Sequence, residues 1–368
     1  MNIPRIMPTL LCLLAVLPAW AAVPEGMVLE WADEFDYTGA PDPAKWTHET
    51  GAGGWGNNEL QNYTDKLENS RVEDGRLIIE ALQFTDSRVP YYTSARLVTR
   101  DKGEWKYGRI EVRAKLPSET GTWSAIWMLA ADQVYGDAYW PDNGEIDIVE
   151  HVGYEEDPLF LDVKGVDQLN NVHGTLHTYI RNGRDNQGIG GSTYGADVSS
   201  EYHIYAVNWY EDRIEFEFDG AIYNTIYRDN LIPVRDPPDD PWQYWPFKED
   251  FFLILNIAIG GNWGGHFNSD YYPADSPYGS NGVDDDNGTW PQRMEVDYVR
   301  VYSLGDGTWK GLPVDEAGNA MTDSWMGPIN VSLAPWIYSH RLEQFFLPQS
   351  ALEDTFHTNG QWVYFPRP

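Results

Sequence analysis

Three acids stand close together in the stretch Glu145-Ile146-Asp147-Ile148-Val149-Glu150, which Gly144 precedes and Gly153 follows shortly after. The β-branched residues between them favour a strand. In a strand, residues two apart share a face, so Glu145 and Asp147 point the same way and Glu150 the opposite way. One extra residue, a β-bulge at Ile148–Val149, would return Glu150 to the face of the other two. Glu145 and Glu150 would then stand four strand steps apart, ~13 Å between backbones. Two glutamates leaning together over a concave sheet would bring their carboxyls to roughly 5–6 Å. At that separation one carboxylate attacks a sugar's anomeric carbon while the other protonates the leaving oxygen. Asp147 between them would tune the pair, because crowded carboxylates cannot all ionise freely and one pKa rises. The same acids would also suit the solvated face of an edge strand.

The elements that must hold this stretch are strands. Short runs of alternating or β-branched character recur along the chain, separated by Gly, Asn, Asp and Pro: 75–82, 108–116, 203–210, 213–220, 251–261 and 294–302. Asp219-Gly220 between two such runs reads as a hairpin turn. Many strands at regular spacing give an all-β sandwich or barrel. The pattern stops at Tyr302. Residues 303–319 read as a linker, and the tail holds two similar phrases, APWIYSH and GQWVYFP, which together suggest a small aromatic β unit.

The 368-residue chain opens with Arg5, an apolar run and the small-residue pattern Ala19-Trp20-Ala21, the form of a secretory signal cleaved near Ala22. The expected division is 1–21 signal peptide, 22–304 catalytic domain and 305–368 linker plus C-terminal unit. The expected location is secreted or periplasmic. The single cysteine, Cys12, lies inside the signal, so the mature domain relies on a large core rather than disulfides. No later run is long enough for a membrane span. A net charge of −32 argues against nucleic acid, anionic membranes and strongly anionic polymers as partners. The 17 Trp and 23 Tyr are many for a soluble chain; flat rings that face sugar rings are one use for them, and core packing is another.

From about Leu29 to Tyr302 the chain resembles glycoside hydrolase family 16, in its laminarinase (endo-1,3-β-glucanase) branch. The resemblance rests on GGWGNNELQNYT (53–64), GTWSAIWML (121–129) and GEIDIVEHVG (144–153), with WADEFD, YGRIEVRAKLP, HGTLHTY, LNIAIGGNW and VDYVRVY in the family's order. It implies a β-jelly-roll sandwich of two curved antiparallel sheets with a concave substrate cleft. It implies Glu145 as nucleophile, Asp147 as helper and Glu150 as acid/base of a retaining, monomeric endo-β-1,3-glucanase. Mixed-linked β-1,3/1,4-glucan or a galactan as the polymer, or glucan binding without turnover, are the alternatives.

Other residues carry two readings each. Trp123 and Trp127 share a strand face, for stacking on glucose rings or for core packing. Trp140, just before the acids, would wall the cleft or pack its loop. Asn58 sits in a Gly/Asn-rich loop that needs unusual backbone angles; its amide would bond sugar hydroxyls or hold the turn. Arg96 resembles the family's substrate-contacting arginine, or forms a strand salt bridge. His173 and His177 lie four apart without a third metal ligand at suitable spacing; the resemblance places His177 beside the acids and leaves His173 structural. Trp263, on a glycine-rich loop, would shape a subsite. No cofactor is expected for the chemistry. A structural calcium is implied by the resemblance, with Glu34, Asp297 and the Gly75 carbonyl as ligands; a hydrogen bond without metal is the other reading. Asp297 shares parity with Val299 and Val301 and is expected to face inward. The acidic run 283–288 reads as a surface loop.

Overall fold

The computed structural model describes residues 24, 26–86, 89–119, 121–153, 170–179, 188–194, 197–231, 242, 244–264 and 290–304, with seven short strands between 308 and 365. The signal region and the run 283–288 lie outside the described residues. The chain divides into two compact units, one of them Leu29–Leu304 and the other taking in the strands after Gly305.

The larger unit is built from β1 (Met27–Asp33), β2 (Thr47–Glu49), β3 (Gln61–Tyr63), β4 (Ser70–Glu73), β5 (Arg76–Asp86), β6 (Val89–Ser94), β7 (Arg96–Val98), β8 (Glu104–Trp105), β9 (Gly108–Lys115), β10 (Thr122–Ala130), β11 (Glu145–Val152), β12 (Asn171–His177), β13 (Ile189–Tyr194), β14 (His203–Trp209), β15 (Arg213–Phe218), β16 (Ala221–Tyr227), β17 (Phe251–Ile259) and β18 (Gln292–Leu304). One helical turn, α1 (Gly261–Gly264), follows β17. The strands form two sheets. The outer one runs β16-β15-β14-β9-β18-β5-β6-β3, with β1 added on β18 and β4 on β5. The inner one runs β13-β12-β11-β10-β17-β7-β2, with β8 added on β17. Along these two strand orders the pairing is antiparallel except between β3 and β6. This is the jelly-roll sandwich expected from the sequence. Asp219 and Gly220, both at positive φ, make the turn between β15 and β16.

The core lies between the sheets. Alternate residues of β9 (Ile110, Val112, Ala114) and β18 (Val299, Val301) face alternate residues of β10 (Ile126, Met128) and β17 (Leu253, Leu255, Ile257) across it. β17 is central in its sheet and buried on both faces, which is why it reads as a continuous apolar run rather than an alternation. Its one polar residue is Asn256.

The outer sheet carries a buried belt of charge. Arg109 donates from both terminal nitrogens to Glu217 at 2.7 Å, from Nε to Glu111 at 2.9 Å and from Nη1 to Asn208 at 2.9 Å. Tyr298 donates to Glu111 at 2.9 Å, and Arg300 grips both oxygens of Glu34 at 2.7 and 2.9 Å. One expectation about the acids near β18 is corrected by this pairing. The β18–β9 register slips between Val296 and Tyr298, so Asp297 sits on a bulge. It does not follow Val299 and Val301 inward; it is partly exposed and pairs with Arg113 at 2.5 Å. Glu34 is committed to Arg300. Gly75 holds the tight β4–β5 turn at φ +74. Each carboxylate is thus held by its own guanidinium, Glu34 by Arg300 and Asp297 by Arg113.

In the smaller unit, Asn319–Met321, Pro328–Asn330, Ile337–Ser339, Gln344–Leu347 and Val363–Phe365 form an antiparallel meander in chain order. The two similar phrases of the tail each supply a strand at the same offset, Ile337–Ser339 and Val363–Phe365. These strands flank Gln344–Leu347 on its two sides.

Candidate active site

Gly144, the residue just before β11, has φ +88. A Cβ there would press on Pro246, Phe247 and Phe251 at 2.9–3.1 Å. Glycine thus lets the chain turn tightly into Glu145. Along β11, Ile146 is buried in the core, and so are both Ile148 and Val149. Two adjacent apolar residues cannot both face inward in a regular strand. The strand therefore bulges: Trp127 pairs with Asp147 but Ile126 with Val149, and on the other side Asp147 pairs with Thr175 but Glu150 with His173. The bulge sets Glu145, Asp147 and Glu150 on the face away from the core.

There His177 Nε2 lies 3.2 Å from Asp147 Oδ2 and 3.6 Å from Glu145 Oε1. Among the described residues this is the one cluster of three such groups close enough to share an ion or a proton. Burial pushes the Asp147 carboxyl well above its ordinary pKa, and the charge of Glu145 adds to the shift. The Glu150 carboxyl is likewise raised well above its usual range, first by burial and then by the charge of Asp147; His177, and the hydrogen bond from Trp123, act the other way. That bond runs from Trp123 Nε1 to Glu150 Oε1 at 3.0 Å. One carboxyl that stays protonated beside another that ionises is the division of labour of general acid and nucleophile.

The aromatic surroundings follow the sheet. Trp123 meets Trp263 of α1 edge-on at 5.6 Å, and His173 meets the same ring at 4.9 Å. Burial, with a smaller contribution from His151, pushes His173 down to about 4, so it is neutral beside Glu150. The two histidines face different neighbours: His177 turns to the acids and His173 to Trp263. Trp140 stands 6.1 Å from the His177 ring.

Across β10, Arg96 is sandwiched between Trp55 at 5.0 Å and Trp127 at 4.7 Å, and its Nε donates to Glu49 at 2.6 Å. The salt bridge and the cleft position thus coexist at Arg96. Trp127 Nε1 donates to Asn256 Oδ1 at 2.7 Å, and Asn256 Nδ2 to Tyr63 Oη at 3.1 Å. Gln61 Nε2 donates to Glu59 Oε2 at 2.6 Å, and burial raises the pKa of Glu59. Asn58, at φ +58, ties its loop to α1 by donating to Asn262 Oδ1 at 2.8 Å. Motif and spacing did not single out Glu49, Trp55, Glu59, Tyr63 or Asn256. Asn256 had a signal, as the lone polar residue in an apolar strand. Glu49, in a short polar segment, had none.

The family described as "Glycosyl hydrolases family 16" matches residues 57–245. The chain is similar to the "Beta-glucanase" of Rhodothermus marinus, 46% identical over 279 residues that cover 74% of this chain and 84% of that protein. It is similar to the "Glucan endo-1,3-beta-glucosidase" of Cryptopygus antarcticus, 33% identical, covering 78% of this chain and 97% of that one. Among solved structures, the X-ray structure of the laminarinase from Rhodothermus marinus matches with a TM-score of 0.63 at 45% identity, covering 76% of this chain and 98% of the other.

Proposed function

The chain belongs to glycosyl hydrolases family 16, and from that premise we propose that it is an exported, retaining endo-β-1,3-glucanase. The observation that carries the mechanism is the bulged strand, which sets Glu145, Asp147 and Glu150 on one face with Glu150 raised in pKa. Glu145 attacks the anomeric carbon. Protonated Glu150 gives its proton to the glycosidic oxygen, and the sugar stays on Glu145 as an ester. Glu150, now ionised, takes a proton from water as that water attacks the ester, and the original anomeric configuration is restored. Asp147 shares its proton with Glu145 and relieves the repulsion between the two carboxylates. Trp123 orients Glu150 through its N–H, and the Trp127–Arg96 face holds sugar rings beside the acids. The similarity to proteins named for action on 1,3-β-glucan favours that polymer.

Hydrolysis of laminarin, mixed-linked β-glucan and agarose, with the anomeric form of the first product followed by NMR, tests this reading. Fastest release from laminarin with retained β configuration is expected. With an aryl β-glycoside, whose leaving group departs without a proton, azide should rescue the Glu145→Ala variant to an α-glycosyl azide and the Glu150→Ala variant to a β-glycosyl azide. Inverted product, or no sugar release from laminarin, would overturn it.

A further inference from the structure

β13 is the edge strand of the sheet that carries the acids. Its register sets Gly190 opposite Thr175, Ser192 opposite His173 and Tyr194 opposite Asn171. β12 in turn sets Thr175 opposite Asp147 and His173 opposite Glu150. The even positions of β13 therefore share the face of the acids. The odd ones look the other way: Ile189 packs against the core, and a Cβ on Gly191 would meet the Asn224 side chain. The even positions are all exposed, and they run Gly190, Ser192, Tyr194: two small residues and then an aromatic ring 59% open to solvent.

On the other side of β11 the face is lined by Trp123, Trp127 and Arg96. A polymer cut within its length must lie across both sides of the acids. Strands are ~4.8 Å apart, so β13 stands roughly 10 Å from β11, a span of about two sugar rings. We infer that Ser192 and Tyr194 form a second sugar-binding site, on the side of the acids opposite Trp127 and Arg96. Tyr194 supplies a flat stacking surface and Ser192 a hydroxyl for the sugar's own, while Gly190 adds no side chain to this face and His173 of β12 forms the floor between Ser192 and Glu150. The inference rests on the reading of the chain as an endo-glucanase.

Both tyrosine variants should fold, because the side chain is exposed. Initial rates are measured on oligosaccharides of increasing length, prepared from whichever β-glucan the wild type hydrolyses. The Tyr194→Ala variant should lose about tenfold in kcat/KM on long oligosaccharides, the size of one aromatic stacking contact. It should keep wild-type rates on those too short to reach β13, and Tyr194→Phe should restore the loss. Equal losses at every length, or none at any, would overturn the inference. Failure of the functional reading would show separately, in a wild type that cleaves no β-glucan.

Discussion

Replacing Trp123 by Phe removes one hydrogen bond while keeping an aromatic ring in place. The indole N–H reaches Glu150 Oε1 at 3.0 Å, and it favours the ionised carboxylate over the acid. A hydrogen bond to a charged group contributes about 1.5–3 kcal/mol, and one to a neutral group about 0.5–1.5. The differential between the two protonation states is therefore ~1 kcal/mol, somewhat under one pKa unit at 1.36 kcal/mol each. Without the bond, Glu150 stays protonated to higher pH. In the bell-shaped profile of kcat/KM, the alkaline limb reports the group that must be protonated. In Trp123→Phe that limb should move up by about half to one pH unit, while the acid limb stays where it is. Loss of indole contact with substrate would lower the whole profile without shifting it, so height and position separate the two effects. An alkaline limb that stays put or moves down would refute the assignment of Glu150 as the acid.

Glu145→Gln and Glu150→Gln should each remove nearly all laminarin hydrolysis, on the order of 10³-fold or more, with far-UV circular dichroism unchanged; activity near wild type in either would defeat the assignment. Glu150→Gln should also flatten the pH dependence of stability. The folded pKa of Glu150 lies above the unfolded one, so between the two the folded state holds more protons, and wild-type stability falls as pH rises through that window. Urea midpoints measured from pH 4 upward should show the variant gaining on the wild type, and a constant difference would contradict the shift. Asn256→Leu strands the Trp127 N–H and takes one donor from Tyr63 Oη, at a cost of roughly 1–3 kcal/mol; KM should rise more than kcat falls, together with a lower melting temperature. Arg109→Met leaves Glu111 and Glu217 buried without their cation, which should lower stability in urea by about 3–5 kcal/mol while kcat on the remaining folded protein holds.

The sandwich was legible because its strands alternate, and Asp219-Gly220 announced a hairpin. The bulge was legible from parity alone, since Glu150 falls out of step with Glu145 and Asp147. The structure adds the cause: Ile148 and Val149 both insist on the core. Parity misled at Asp297 because a second bulge, at Val296–Tyr298, breaks the alternation where no charged spacing betrays it. Contacts between distant segments were not legible. Glu49 reaches Arg96 from 47 residues away, and Asn256 reaches Tyr63 from 193; strand order fixes both, and local periodicity does not encode strand order. The arginines that hold Glu34 and Asp297 escaped for the same reason.

The bulge has a bearing on how such a chain changes over generations. Removing the single codon for Ile148 would leave Glu-Ile-Asp-Val-Glu, a strict alternation that still sets all three acids on one face and one apolar residue inward between Asp and Glu. Two reading frames of the same strand, one residue apart in length, are thus both chemically coherent, and only the register of the residues after the bulge against β10 and β12 differs. A lineage could cross between them in one deletion without losing its acids. Such a step would alter the reach between nucleophile and acid, and with it the shape of bond that fits between them.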